Sequence, residues 1–78
     1  PITTIGFGIK APGHVSLQVY DAAGRLVATL VDESMPAGSY TIEWNGLGDG
    51  GSKAASGVYF YRLTAGRFIE TKKMVLLK

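Results

Sequence analysis

The chain has 78 residues and a mass of 8.3 kDa, which sets a ceiling of one small domain. Size scaling buries only about 60% of the unfolded surface at this length, enough for one thin core but not for a core plus a roomy, water-excluding active site. Eight basic residues oppose six acidic ones, for a formal charge of +2, and the bases are scattered except for Lys72-Lys73. A nucleic-acid surface needs a basic stripe with interleaved aromatics, so no nucleic-acid partner is expected. Zero cysteines exclude disulfides and thiolate metal sites, and one histidine, His14, leaves no histidine-rich cluster. No apolar run reaches the ~20 residues that span a bilayer.

Eleven glycines are about twice the ordinary share. They cut the chain into short alternating segments. Ile5, Phe7 and Ile9 alternate with Gly6 and Gly8, and Ala11-Pro12-Gly13 turns the chain. Val15, Leu17 and Val19 then face one way and Ser16, Gln18 and Tyr20 the other. Asp21-Ala22-Ala23-Gly24 fits a type I turn, with Gly24 as the left-handed residue of a bulged hairpin. The return strand, Arg25 to Val31, carries apolar residues on both faces and is expected to be central or covered on both sides. Asp32 to Gly38 reads as a polar connection.

Tyr40, Ile42 and Trp44 alternate next and belong to the core. A glycine knot follows, Asn45 to Lys53, within which Gly46 to Gly51 read as one flexible loop. Val58 to Leu63 is a strand dense in aromatics, Ala65-Gly66 closes a second tight hairpin, and Phe68 to Leu77 is the last strand. No segment keeps a helical period over three turns. Six strands, or seven if one splits, with turn signals every 8–12 residues, describe an all-β antiparallel sandwich; a small closed barrel is the alternative.

Sites of chemistry are sparse. Gly46-x-Gly48-x-Gly50-Gly51 lacks the spacing and the following helix of a phosphate-binding loop, and reads as backbone needing positive φ. Asn45, Asp49 and Ser52 offer calcium a single carboxylate, where calcium wants several. Asp32 and Glu33 sit side by side in a loop, and Glu43 and Glu70 alternate outward, so all four read as solvated rather than as a glycosidase pair. Tyr20, Tyr40, Trp44, Tyr59 and Tyr61 would make a sugar-stacking platform only if they left the core, to which four of them are assigned. His14 reads as a surface turn residue. The serines lack a nucleophile-elbow setting, so no enzyme and no cofactor is expected.

Taken in order, the features form a recognisable set. They are Thr3-Thr4-Ile5-x-Phe7; His14-Val15-x-Leu17-x-Val19-Tyr20-Asp21-x-x-Gly24-Arg25; Ala37-Gly38-x-Tyr40-x-x-x-Trp44-Asn45-Gly46; Ala55-Ser56-Gly57-Val58-Tyr59-Phe60-Tyr61-Arg62-Leu63; and Lys73-Met74-Val75-Leu76-Leu77-Lys78. The whole chain resembles the C-terminal sorting domain (type A) of type IX secretion substrates. It is also similar to the immunoglobulin-like domain of the flagellar hook-capping protein. The resemblance implies an immunoglobulin-like β-sandwich over residues 1–78, excised from a larger secreted protein and fused to an upstream cargo domain. It implies partners rather than catalysis: an outer-membrane translocon and a sortase-like peptidase. It also implies a location, the periplasm in transit and then the outer-membrane surface or the exterior. By the same resemblance, recognition falls on Gly57, Val58, Tyr59, Phe60 and Tyr61 and on Lys73, Met74, Val75, Leu76, Leu77 and Lys78, with the last strand at a sheet edge open to strand addition. Two features depart from the family. Its Trp-Asp-Gly-x-acidic loop is Trp44-Asn45-Gly46-Leu47-Gly48 here, which argues against a cation, and its Asn-Pro-rich lead-in is missing. A structural or assembly module and an accessory carbohydrate-binding domain are the competing readings.

Overall fold

A computed structural model describes residues 2–77. Six strands form among them: β1 (Thr3–Ile9), β2 (Gly13–Asp21), β3 (Leu26–Met35), β4 (Gly38–Trp44), β5 (Gly57–Ala65) and β6 (Phe68–Leu76). β1 and β4 pair as a two-stranded sheet, and the others form a four-stranded sheet in the order β3-β2-β5-β6. Every pairing is antiparallel. Two sheets in face-to-face packing make the sandwich; the closed barrel is not formed.

Alternation places the core where period two requires it. Ile5 and Ile9 from β1, Val15, Leu17 and Val19 from β2, Trp44 from β4, and Tyr59 and Leu63 from β5 are buried. They fall into two clusters. Ile5, Ile9, Val15, Leu17, Val31 and Leu63 fill one end, and Val19, Ala28, Trp44, Tyr59 and Leu76 fill the other.

The turns follow from the glycines. Gly24 has φ +86°, and its amide donates to the Asp21 carbonyl, closing the expected type I turn. The Asp21 carboxylate accepts from the Ala23 and Arg25 amides and from Arg25 Nε. In the β5–β6 hairpin only Gly66 and Arg67 lie between the paired Ala65 and Phe68. Gly66 has φ +62° and Arg67 a negative φ, the combination of a type II′ turn.

β3 corrects two expectations. It is an edge strand, whose one strand neighbour is β2, not a central one. Its register with β2 shifts twice: Leu17 pairs Val31 while Gln18 pairs Thr29, and Val19 pairs Ala28 while Tyr20 pairs Leu26. Leu30 and Val27 are therefore the extra residues of two bulges. Each bulge resets the parity, so Ala28 and Val31, three residues apart, both reach the core. The run of apolar residues came from bulges and not from coverage of both faces. Nor does the strand end at Val31. It continues through Asp32–Ser34 to Met35, which pairs Gly13, and only Pro36 and Ala37 connect it to β4.

Candidate functional site

The hairpin register joins the two segments that the resemblance singled out. Gly57 pairs Leu76, Val58 pairs Val75, Tyr59 pairs Met74 and Phe60 pairs Lys73, so both lie on adjacent strands at one end of the large sheet. β6 is the outer strand there, with a free edge. Lys78 lies outside the described residues.

Alternation then divides these residues by face. Tyr59 and Leu76 point inward. Tyr59 meets the Trp44 ring edge-on at 5.2 Å, and its hydroxyl donates to the Ala55 carbonyl. Leu76 is 1% exposed and closes the same cluster, with Met74 partly buried against it. Tyr61 packs inward against the other cluster. Val58, Phe60, Lys73 and Val75 point to the outer face, and Leu77 follows the strand, exposed. Of the ten described residues, the inward ones hold the fold while the outward ones lie on the open face of the large sheet.

The outer face adds residues that sequence reasoning did not assign. Tyr20 pairs both Phe60 on β5 and Leu26 on β3, so Leu26, Tyr20, Phe60 and Lys73 make one row across the sheet, beside the Val58–Val75 row. Leu26, Val58 and Val75 are 51%, 38% and 52% exposed. Arg62 lies over the Tyr20 ring at 5.2 Å, and the Tyr20 hydroxyl donates to Gln18 Oε1. The result is an apolar strip with cations at its border. The signal was present in the first hairpin, where Tyr20 and Leu26 must face each other across the Asp21–Gly24 turn.

The glycine knot is a docked flap, not a flexible loop. Asp49 N donates to the Val27 carbonyl, and the Asp49 carboxylate accepts from Thr29 N at 2.8 Å, so the knot is fastened along the edge of β3. Trp44 Nε1 donates to the Leu47 carbonyl at 2.9 Å, and Asn45 Oδ1 accepts from Leu47 N. Gly46 (φ +80°) packs under Leu76, and a Cβ at Gly48 would meet the Val27 carbonyl at 3.1 Å. The two oxygen ligands that calcium would need most, on Asn45 and Asp49, are thus bound to backbone amides.

The remaining candidates dissolve into the fold. Trp44 and Tyr59 are core, and Tyr40 stacks on Phe7 at 5.6 Å with its hydroxyl on the Pro36 carbonyl, so no sugar platform of the five aromatics exists. Asp32 and Glu33 stand in β3 rather than in a loop, and Asp32 bonds His14 Nε2 at 2.6 Å. Glu43 faces outward as expected. Glu70 does not: it pairs Leu63 on the inner side and reaches Lys72 at 3.9 Å. Among the described residues no three His, Cys, Asp or Glu side chains gather to hold a metal, and no helix is long and apolar enough to cross a membrane.

A family model described as the FlgD Ig-like domain matches residues 3–67, which takes in β1 to β5. No curated protein and no solved structure matches the chain.

Proposed function

This chain belongs to the FlgD Ig-like domain family, and from that premise we propose that it is a non-catalytic docking module of the sorting kind, addressing a fused cargo to the type IX outer-membrane translocon. The observation that carries the reading is the meeting of Val58 and Phe60 with Lys73 and Val75 on one outward face beside the free edge of β6. An apolar strip bordered by cations, next to an unpaired strand, offers a partner both side-chain contact and backbone hydrogen bonds. In this reading the cargo lies upstream, the translocon reads the folded domain in the periplasm, and a sortase-like peptidase removes it at the cell surface.

The test fuses the domain behind a secreted reporter in a bacterium with an active type IX system. Phe60→Ser combined with Val75→Ser should lower surface-exposed reporter by about tenfold or more, while Thr71→Ser, on the same face but away from the strip, leaves it unchanged. Purified domains with unchanged urea midpoints establish that folding is intact. Full surface yield from the double variant would refute the sorting reading. The family match also favours a second reading, an assembly module like the hook-cap domain. That reading expects the reporter to reach the same location whether or not the host has a translocon.

A further inference from the structure

A second concavity lies at the opposite end of the molecule, where the β1–β2 connection approaches the β5–β6 turn. It is a cleft of about 510 Å3, within the range of about 300–1,000 Å3 common for small-ligand sites. Its apolar wall includes Ile9 and Val15, both buried, and Phe68, which is 52% exposed. An aromatic ring half in water at the mouth of a cleft is a surface with nothing yet packed on it.

The formally charged residues of the cleft, Lys10 and Arg67, have one sign. Lys10 and Arg67 stand on the two connections that frame it, and His14 begins the wall on β2. Among the described residues no carboxylate lines it. Asp32, outside the lining, is bonded to His14, and Glu33 pairs Val15 across β2 and β3. Among the described residues neither Lys10 nor Arg67 forms an ion pair. Two uncompensated cations over an apolar floor favour one chemistry, an anionic head on an apolar body, because each half then meets its complement.

We propose that this cleft binds a small amphiphilic carboxylate, with Lys10 and Arg67 holding the head and Ile9, Val15 and Phe68 the body. The site is independent of the outward strip. β5 and β6 enter the cleft at Ala65 and Phe68 and reach the strip at Val58 and Val75, the far ends of the same two strands.

Decanoate, below the concentration at which it self-associates, is the probe, and the readout is the amide spectrum of the isotope-labelled 78-residue chain. Saturable shifts are expected at residues 8–15 and 65–68. Acetate, which has the head without the body, and decanol, which has the body without the head, should each bind about tenfold more weakly or worse. Lys10→Gln with Arg67→Gln, and separately Phe68→Ser, should each weaken decanoate by about tenfold, a loss readily measured as an affinity change. Ile69→Ser, just outside the cleft, is the control. Spectra that otherwise match the parent protein establish that the variants fold. Equal binding of acetate or of decanol, shifts spread away from the cleft, or undiminished decanoate affinity in the Lys10/Arg67 variant would each overturn the proposal.

Discussion

Trp44 is the largest side chain closed inside the core. It meets Tyr59 edge-on, and its indole nitrogen ties down the start of the flap through the Leu47 carbonyl. A domain of this length is stable by about 4–12 kcal/mol in all. Replacing a buried tryptophan by alanine costs about 3–5 kcal/mol. Trp44→Ala is therefore expected to lose a quarter or more of the total in urea unfolding, and to free the Leu47 region in amide exchange. A loss below about 1 kcal/mol would mean that the ring is not where the core needs it. Asp21 makes a contribution that depends on pH. Its carboxyl is held below the ordinary aspartate value, first by the Arg25 backbone amide, with desolvation opposing and the Arg25 side chain and the Ala23 amide adding to the lowering. A lowered carboxyl titration means that the unfolded chain takes up the proton first as pH falls. The stabilisation is complete above the ordinary aspartate range and fades as pH drops through the lowered folded value. Asp21→Asn should give a flatter dependence of the unfolding midpoint in that acid window, with little change in its slope at neutral pH. Identical acid slopes in the two proteins would rule this out.

At the scale of the elements, what could be read ahead from sequence depended on whether period two was unbroken. In β1, β2, β4 and β5 it was, and Ile5, Leu17, Trp44 and Leu63 are buried where alternation put them. The second hairpin was legible at Ala65-Gly66 but its register was not: the turn residues are Gly66 and Arg67, which pair Ala65 with Phe68 and bring Val58 against Val75. β3 was illegible for a physical reason. Its bulges at Val27 and Leu30 exist only in relation to β2, and a single strand's sequence does not display its partner's register. Its polar end, Asp32–Ser34, resembles a loop in composition but is held by pairing with His14–Ser16. The flap was misread for a similar reason: glycine richness signals backbone freedom, while the bonds that remove it come from Val27 and Thr29, about twenty residues away. Asp49→Ala tests that fastening. It removes the carboxylate that accepts from Thr29 N, at a cost of about 1 kcal/mol for one solvent-accessible hydrogen bond. It should also speed amide exchange at Thr29 and Asp49 well ahead of the neighbouring β2 amides. Unchanged exchange at both positions would count against a docked flap. The opposite edge of the sheet is guarded differently. Lys73 ends the outward apolar strip beside Phe60, and charged residues on an outer strand oppose edge-to-edge association. Lys73→Val would extend the strip from Phe60 and Val75 to the sheet edge, and light scattering should then rise with concentration more steeply than in the parent protein.

Across the whole molecule, the sandwich is slightly drawn out. Its radius of gyration is 12.4 Å with extents of 35 × 21 × 21 Å, against about 11.5 Å for a compact domain of this length. Its two clusters of buried residues sit toward opposite ends of that length, each beneath one of the proposed surfaces: the Trp44 cluster by the outward strip and the Leu63 cluster by the basic cleft. Surface and core are consequently separated by single residues, and this governs how function can be tested. Removing the last strand's end would delete Val75, which faces out, together with Leu76, which is 1% exposed, against Gly46 and in one cluster with Trp44. A truncated protein that failed to reach the cell surface would then be explained by unfolding as well as by a lost contact. Neighbouring point substitutions separate the two. Leu76→Ala should cost about 2–5 kcal/mol, as large-to-small changes in a closed core do, and should lower the urea midpoint sharply. Val75→Ser, one residue away and half in water, should move stability by less than about 0.5 kcal/mol. If the outward strip is what a partner reads, Val75→Ser nevertheless weakens export of a fused reporter, whereas a strip that is mere surface leaves export at the parent level. A large stability loss in Val75→Ser, or none in Leu76→Ala, would invert the assignment of faces on β6 and with it the identity of the recognition surface.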